Sequence, residues 1–252
     1  MSRPSGSKFV RVLTLGVEGV VALAFPSRCV VCQVDIDRPL AGPLCGSCRN
    51  SLPVIVPPYC PRCGLPYSPG VAPGVCGPCR RPGRGFRLAR SAGPYEGALK
   101  DSLILLKFGG RHRLAGLLGR LAYERCFVDD KLELPEAVIP VPLSRRRQRE
   151  RGYNQAALLG RAVASAAAVD LRRRVLVKVQ ERPPQSELSA TRRRLNAAGA
   201  YRANLPASLR GKHLLLVDDI MTTGATAEAC SRALVRAGAG SVDVLTVSRV
   251  SL

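Results

Sequence analysis

Eight of the ten cysteines in this 252-residue chain form four CxxC pairs, and their spacing dictates what the first third can fold into. The pairs are Cys29/Cys32, Cys45/Cys48, Cys60/Cys63 and Cys76/Cys79. Each cysteine of the first quartet recurs 31 residues later, so the segment is an internal duplication of C-x2-C-x12-C-x2-C. A CxxC turn aims two thiolates at one ion, and two such turns complete a tetrahedral zinc site. Gly46, Pro61, Gly64, Gly77 and Pro78 suit the backbone of those turns. A ribbon this short has little core, so the metal supplies its folding free energy. Four thiolates leave no open coordination position, which makes each of the two expected Zn²⁺ ions structural. A disulfide framework is the competing reading and needs an oxidising compartment; an iron–sulfur cluster suits a duplicated ribbon spacing less well. The spacing leaves sequential and cross-braced pairing both open. Cys126 and Cys230 lie outside the repeat, in helical stretches, and read as buried small hydrophobes.

The formal charge is +21, and the excess is nearly all arginine, since only six lysines occur. Such a field favours anionic partners: nucleic acid, an anionic membrane surface, or a polyphosphorylated small molecule. A coding bias towards Arg and Ala is the alternative source of the charge. Apolar residues at 46% and charged residues at 23% exclude general disorder. No apolar run reaches eighteen residues, so a multispanning membrane protein is excluded and no transmembrane span is expected. Residues 9–25 are apolar, follow Arg3 and Lys8, and contain Ala22-Leu23-Ala24, which mimics a signal cleavage site. Arg11 and Glu18 interrupt that run, and the zinc cysteines begin four residues after Phe25. Residues 1–28 therefore read as an N-terminal helical segment packing on the ribbons or the main domain, with a targeting segment as the alternative. Thiolates of this kind need a reducing compartment, so the expected location is cytoplasmic, with a membrane-peripheral placement as the variant.

Residues 29–82 form the double zinc ribbon, and Pro and Gly are dense over 50–87. From 88 to 252 strand and helix patterns alternate. A helix follows Tyr95 with Leu99, Leu103, Ile104 and Leu106 on one face, and a second covers 113–127. Strands are expected at Ala137–Val141, Val175–Val179, His213–Val217 and 242–247, with helices at Asn154–Ala168 and 225–237. An Arg-rich loop follows the first strand, and a long polar segment spans 181–198. Short apolar strands separated by helices indicate an α/β domain, a parallel sheet with helices on both faces.

The chemistry concentrates in LLLVDDIMTTGAT, 214–226. Apolar residues lead into Asp218 and Asp219 at the carboxyl end of a strand, where open α/β sheets bind ligands. Thr222, Thr223, Gly224, Ala225 and Thr226 then open a helix, whose unpaired N–H groups and hydroxyls make a phosphate cradle. Two carboxylates repel phosphate, so they face a hydroxyl-bearing part of the ligand. A ribose 5′-phosphate satisfies both halves. Capping a strand–turn–helix junction is the ordinary explanation, but it needs one Asp or Thr, not two acids and three threonines.

VDDIMTTGAT resembles the ribose-phosphate signature of type I phosphoribosyltransferases, which use phosphoribosyl pyrophosphate (PRPP). Over residues 9–250 the chain is similar to the ComF family. The resemblance rests on the paired zinc cysteines, on Tyr95-Glu96-Gly97 through Leu106-Lys107-Phe108, and on VIPVPLSRRRQRERGYNQA at 138–156. Gln185, Leu188, Arg193, Asn196 and Gly199-Ala200-Tyr201 extend it. It implies a type I phosphoribosyltransferase-like fold, with Asp218 and Asp219 on the ribose hydroxyls and assisting Mg²⁺, and Thr222 to Thr226 on the 5′-phosphate. Leu143 and Ser144 would belong to the pyrophosphate loop, beside Arg151, Gly152, Asn154 and Gln155. Residues 181–198 would close over the site, with Gln185 and Arg193 contacting PRPP. Asp218, Asp219, Arg151 and Arg193 are the catalytic candidates.

Arg145, Arg146, Arg147, Arg149 and Arg151 follow a sheet strand, where a departing pyrophosphate needs cations; a solvated or nucleic-acid-binding loop is the other reading. Purine salvage transferases of the hypoxanthine–guanine type carry an acidic base where this chain has Thr222, which argues against those acceptors. The expected function is phosphoribosyl transfer from PRPP to an unknown nitrogen acceptor in nucleoside metabolism, with pyrophosphate release. The alternative is a non-catalytic PRPP-sensing accessory that binds single-stranded DNA, because the ComF resemblance implies a link to DNA uptake in natural transformation. A zinc-ribbon tether to a membrane or partner is a third reading.

Overall fold

The chain divides between Leu52 and Pro53 into two units, so the duplicated ribbon is shared out between them. The computed structural model describes residues 28–36, 42–68, 70–81, 85–127, 132–179 and 199–251. The expected helical segment over 9–25 lies outside the described residues, as do Gln185 and Arg193. Among the described residues no helix is long and apolar enough to cross a membrane.

In the first unit, Cys29 begins a tight turn in which its N–H donates to the Val34 carbonyl at 2.8 Å and its carbonyl accepts from Gln33 at 2.9 Å. Cys45 caps the short helix α1 (Gly46–Asn50), its Sγ accepting from the Cys48 N–H at 3.4 Å. The second unit repeats this geometry 31 residues on. Cys60 donates to Leu65 at 2.8 Å and accepts from Gly64 at 2.9 Å, and Cys76 precedes helix α2 (Gly77–Arg80). Even the left-handed residue of the turn is copied, with φ +62° at Gln33 and +64° at Gly64. Duplication in sequence is duplication in backbone.

The rest of the second unit runs β1 (Ala89–Pro94), α3 (Gly97–Phe108), α4 (Leu114–Phe127), β2 (Ala137–Pro140), α5 (Arg145–Arg151) and α6 (Gln155–Ala167). It continues through β3 (Asp170–Leu171), β4 (Leu176–Lys178), β5 (Tyr201–Ala203), β6 (His213–Met221), α7 (Ala225–Arg236) and β7 (Ser241–Arg249). Five strands form a parallel sheet in the order β1-β7-β6-β2-β3. Strand alternation sorts its faces. Leu214 and Leu216 join a core with Ile139, Val244, Cys230 and Leu234 beneath α7. Leu215 and Val217 point the other way, to the face carrying α4 and α6. Those two helices pack closely because Gly119 has no Cβ: one placed there would lie 2.7 Å from the Leu159 carbonyl oxygen.

Several expectations change. The segment expected as strand Val175–Val179 is not in the main sheet: β4 pairs antiparallel with β5 as a separate two-stranded piece against α7. The fifth sheet strand is β3 instead, and the edge strand β1 carries small residues, with no branched signal to reveal it. Ile104 is 38% exposed, off the buried face of Leu99, Leu103 and Leu106. The Arg-rich loop is helical, because Ser144 caps α5 by accepting from the Arg147 N–H at 3.3 Å and Gly152 ends it at φ +75°. Cys126 and Cys230 are buried, as expected.

β1 would leave an open sheet edge, and the second ribbon lies against it. The Ala89 N–H donates to the Arg62 carbonyl at 2.8 Å, and Arg90 reaches the Pro61 carbonyl at 3.0 Å. At the start of β1, Arg87 grips the fully buried Asp243 with two bonds of 3.0 and 2.6 Å, and the Leu88 N–H adds a third at 3.1 Å.

Candidate functional site

The acidic pair lies inside β6 rather than after it. The strand continues past Val217 because Ile220 and Met221 still pair with Ser248 and Arg249 of β7. Successive strand residues lean to opposite faces, yet the two carboxyls stay close enough to interact through their side chains. Asp219 turns to the α3 side, where Lys107 Nζ sits 2.6 Å from its Oδ2. Asp218 shares the parity of Leu214 and Leu216 and senses Tyr201 and Cys230, which belong to the α7 side. Burial, and then the neighbouring Asp219, push the Asp218 carboxyl well above its usual value of 3.8. Its Oδ1 still accepts from the Asp219 N–H at 2.9 Å.

The turn into α7 has the form a phosphate cradle needs. Gly224 caps the helix in the left-handed region at φ +78°, a conformation that costs other residues about 1 kcal/mol or more. Thr222 and Thr226 are exposed, while Thr223 Oγ1 accepts from the Ala225 N–H at 3.4 Å. Burial drives the Tyr201 phenol above the usual range, with the nearby Thr226 side chain a partial offset. Across the site, the loop after β2 is tied to β6, with the Val141 N–H donating to Val217 at 2.9 Å. Asn154 Nδ2 donates to Val141 at 3.0 Å, which fixes the loop holding Leu143 and Ser144. Arg151 Nη1 donates to Gln155 at 3.0 Å, and Arg147 comes close enough to Tyr201 to influence it.

Lys107 and Tyr201 are the residues that sequence reasoning passed over. Both stand in the stretches that carry the family resemblance, and lysine is rare in this arginine-rich chain, which was the available signal. Their partners are distant in sequence, so their positions required the fold.

Two four-cysteine clusters complete the inventory. Cys29, Cys32, Cys45 and Cys48 form one, and Cys60, Cys63, Cys76 and Cys79 the other, with the sulfurs in each within 4.8 Å of one another. Pairing is therefore sequential. The Cys32–Cys45 and Cys63–Cys76 sulfurs are 3.6 Å apart, far beyond a disulfide bond and near the ~3.8 Å that a tetrahedral site with ~2.3 Å Zn–S bonds requires. The Cys63 thiol is lowered to about 5, chiefly by its hydrogen bond with Cys79 and further by the Arg249 charge, which suits a metal-ligating thiolate. The donor sets fit two structural zinc ions.

A parallel sheet bearing an acid pair and a threonine–glycine turn, joined to two four-cysteine ribbons, defines a double-zinc-ribbon protein with a phosphoribosyltransferase domain. The double zinc ribbon domain model matches residues 20–80, and the phosphoribosyl transferase domain model matches 154–250. The chain is 31% identical to DNA utilization protein YhgH of Salmonella typhimurium over 230 residues, covering 90% of this chain and 99% of that one. It is 30% identical to competence protein F of Haemophilus influenzae, covering 89% and 98%, and 30% identical to competence protein ComFC of Bacillus subtilis, covering 82% and 84%. The chain belongs to this family, the ComF family.

The raised Asp218 carboxyl has a consequence for stability. Its neutral form is favoured in the folded protein, so the stability it contributes is complete below the usual 3.8 and is lost as pH rises through the raised value. Asp218→Asn, fixed neutral, is expected to melt higher than wild type at neutral pH, by at least ~1 kcal/mol. The advantage should vanish in acid. Thermal melts of both proteins between about pH 4 and pH 8 check this, and parallel curves would contradict it.

Proposed function

We propose that this protein binds PRPP and transfers its phosphoribosyl group to a nitrogen acceptor, releasing pyrophosphate. The observation that carries the reading is the end of β6, where two adjacent carboxyls interact and a left-handed glycine turn with exposed threonines follows at a helix start. Asp218 and Asp219 would hold the ribose hydroxyls, and the hydroxyls and N–H groups of Thr222 to Thr226 the 5′-phosphate. The loop at Leu143 and Ser144, with Arg151, would face the diphosphate, and Gln185 and Arg193 would contact PRPP from the 181–198 segment. The neighbouring Asp219 makes the Asp218 carboxyl costlier to ionise, a strain that a divalent cation relieves, so the donor set fits Mg²⁺. Bound with PRPP, that ion supplies charge neutralisation on the diphosphate.

In the transfer, the acceptor nitrogen's lone pair forms the bond to C1 of the ribose as the C1–O bond to diphosphate breaks. Pyrophosphate leaves with the bonding electrons, and the proton on nitrogen passes to solvent. The chain's contribution is orientation and electrostatics. Calorimetric titration of Mg-PRPP into zinc-replete protein tests the reading. Saturable binding is expected for wild type, with at least ~100-fold loss in Asp218→Asn, since an amide cannot ionise beside the cation as the carboxyl does when Mg-PRPP binds. That variant is expected to be the more stable of the two, so lost binding cannot be assigned to unfolding. Well-folded wild type that ignores PRPP would end the proposal.

A second reading has its own support. The +21 charge and relatives named for DNA utilization and competence favour an accessory role on single-stranded DNA during its uptake. It predicts single-strand affinity that falls steeply with salt, the log–log slope giving the phosphates contacted. Binding poorer than about micromolar at physiological salt would reduce this to charge attraction. Either role suits a reducing cytoplasm, which the thiolate clusters need.

A further inference from the structure

A cavity of about 800 Å³ opens next to the acid pair, and its walls combine two chemistries. Lys107, Arg146, Arg147 and Arg151 supply four cations. The opposing carboxylate in the wall, Glu150, is 3.5 Å from Arg146. Between the cations stand aromatic rings, Tyr95 and Phe108 among them. Phe108 is 72% exposed, and the Arg151 guanidinium lies 4.9 Å from its ring centre. Among the described residues, none of the threonine turn lines the cavity. Lys107 is the link, because its ammonium in the wall is also the partner of Asp219.

A diphosphate would account for the cations but gives no use for an aromatic ring left in water at the mouth. A neutral planar base would account for the ring but not for four cations gathered in one wall. A planar base joined to a phosphate uses both. The volume suits a ligand of that size. We propose that this cavity is a nucleotide site: the base stacks on Phe108, and the phosphate sits on Arg146 and Arg147 of α5. The proposal deepens the PRPP reading and rests on it for one point, that a ligand held here adjoins the ribose acids and so is placed as the acceptor. The Lys107–Asp219 pair then connects the two sites.

Calorimetry on the full, zinc-replete chain tests it, with adenosine monophosphate as the probe, inorganic phosphate as the anion control, and a 5′-phosphorylated oligothymidylate as the strand-borne form. Phe108 is exposed, so Phe108→Ala should fold normally, and Phe108→Trp should restore stacking. Expected is mononucleotide binding that weakens about tenfold in Phe108→Ala and recovers in Phe108→Trp. It should also weaken about tenfold in Arg146→Gln, with inorganic phosphate bound at least about tenfold more poorly than the nucleotide. Oligonucleotide binding that depends on Phe108, in place of mononucleotide binding, supports the same chemistry and assigns it to a strand end. Equal affinity for phosphate and nucleotide, or indifference to Phe108, overturns the proposal and leaves a bare anion site. PRPP binding without nucleotide binding sinks this proposal alone. Nucleotide binding without PRPP binding upholds the site and sinks the PRPP reading.

Discussion

Cys63→Ser is expected to release one zinc and to unfold everything from Pro53 onward, whereas Cys32→Ser should release one zinc and leave that unit's melting unchanged. The difference follows from where each cluster lies. The four sulfurs of the second cluster are buried and join the same core as Phe86, Ala89 and Leu216. Cys32 of the first cluster is exposed, and its unit ends at Leu52. A structural zinc contributes on the order of 10–16 kcal/mol of apparent folding energy in small modules. A whole domain has a net stability of about 5–15 kcal/mol. Losing the second metal is thus comparable to losing all the stability there is. Zinc content by colorimetric titration, together with circular dichroism melting, reads the result. A Cys63→Ser protein that melts like wild type would show that the second ribbon is an appendage and not part of the domain.

That contrast was invisible in the sequence, where the two quartets are copies with the same spacing. The spacing names the ligands because a tetrahedral thiolate site is built locally from two turns. Which copy a sheet edge absorbs depends on tertiary packing. The same division runs through the functional site. VDDIMTTGAT is legible because acids, threonines and glycine act within ten residues, and its strand and helix fell within a few residues of expectation. β1 was illegible, since Ala-Arg-Ser-Ala-Gly-Pro is buried by its neighbours β7 and the second ribbon, not by its own hydrophobicity. β4 carried a convincing apolar signal, yet its partner is β5, beyond the polar segment, and a run of three strand residues does not reveal which sheet it joins. The Lys107–Asp219 pair spans more than a hundred residues, so the rarity of lysine could mark Lys107 but not its partner.

Arg249→Met is expected to weaken zinc binding at the second cluster by about 10–100-fold, the usual cost of losing a residue that supports metal ligands, and to leave the first cluster untouched. Arg249 ends β7 and is 2% exposed. Its Nη2 is 3.5 Å from Cys63 Sγ, while Nε and Nη1 are buried with no hydrogen-bond partner among the described residues. A buried guanidinium so poorly satisfied is a liability unless an opposite charge offsets it. Four thiolates on one Zn²⁺ carry a formal charge of −2, and that is the charge this arginine faces. In zinc-loaded protein Arg249→Met should therefore release zinc to a chelator sooner than wild type does. Unchanged chelator competition would refute the assignment. The Arg249 carbonyl also accepts from the Tyr95 N–H at 2.8 Å, and Tyr95 walls the cavity beside Asp219. One residue thus touches the metal cluster at its side chain and the ligand cavity's wall at its backbone, so zinc loss should take the cavity apart together with the sheet.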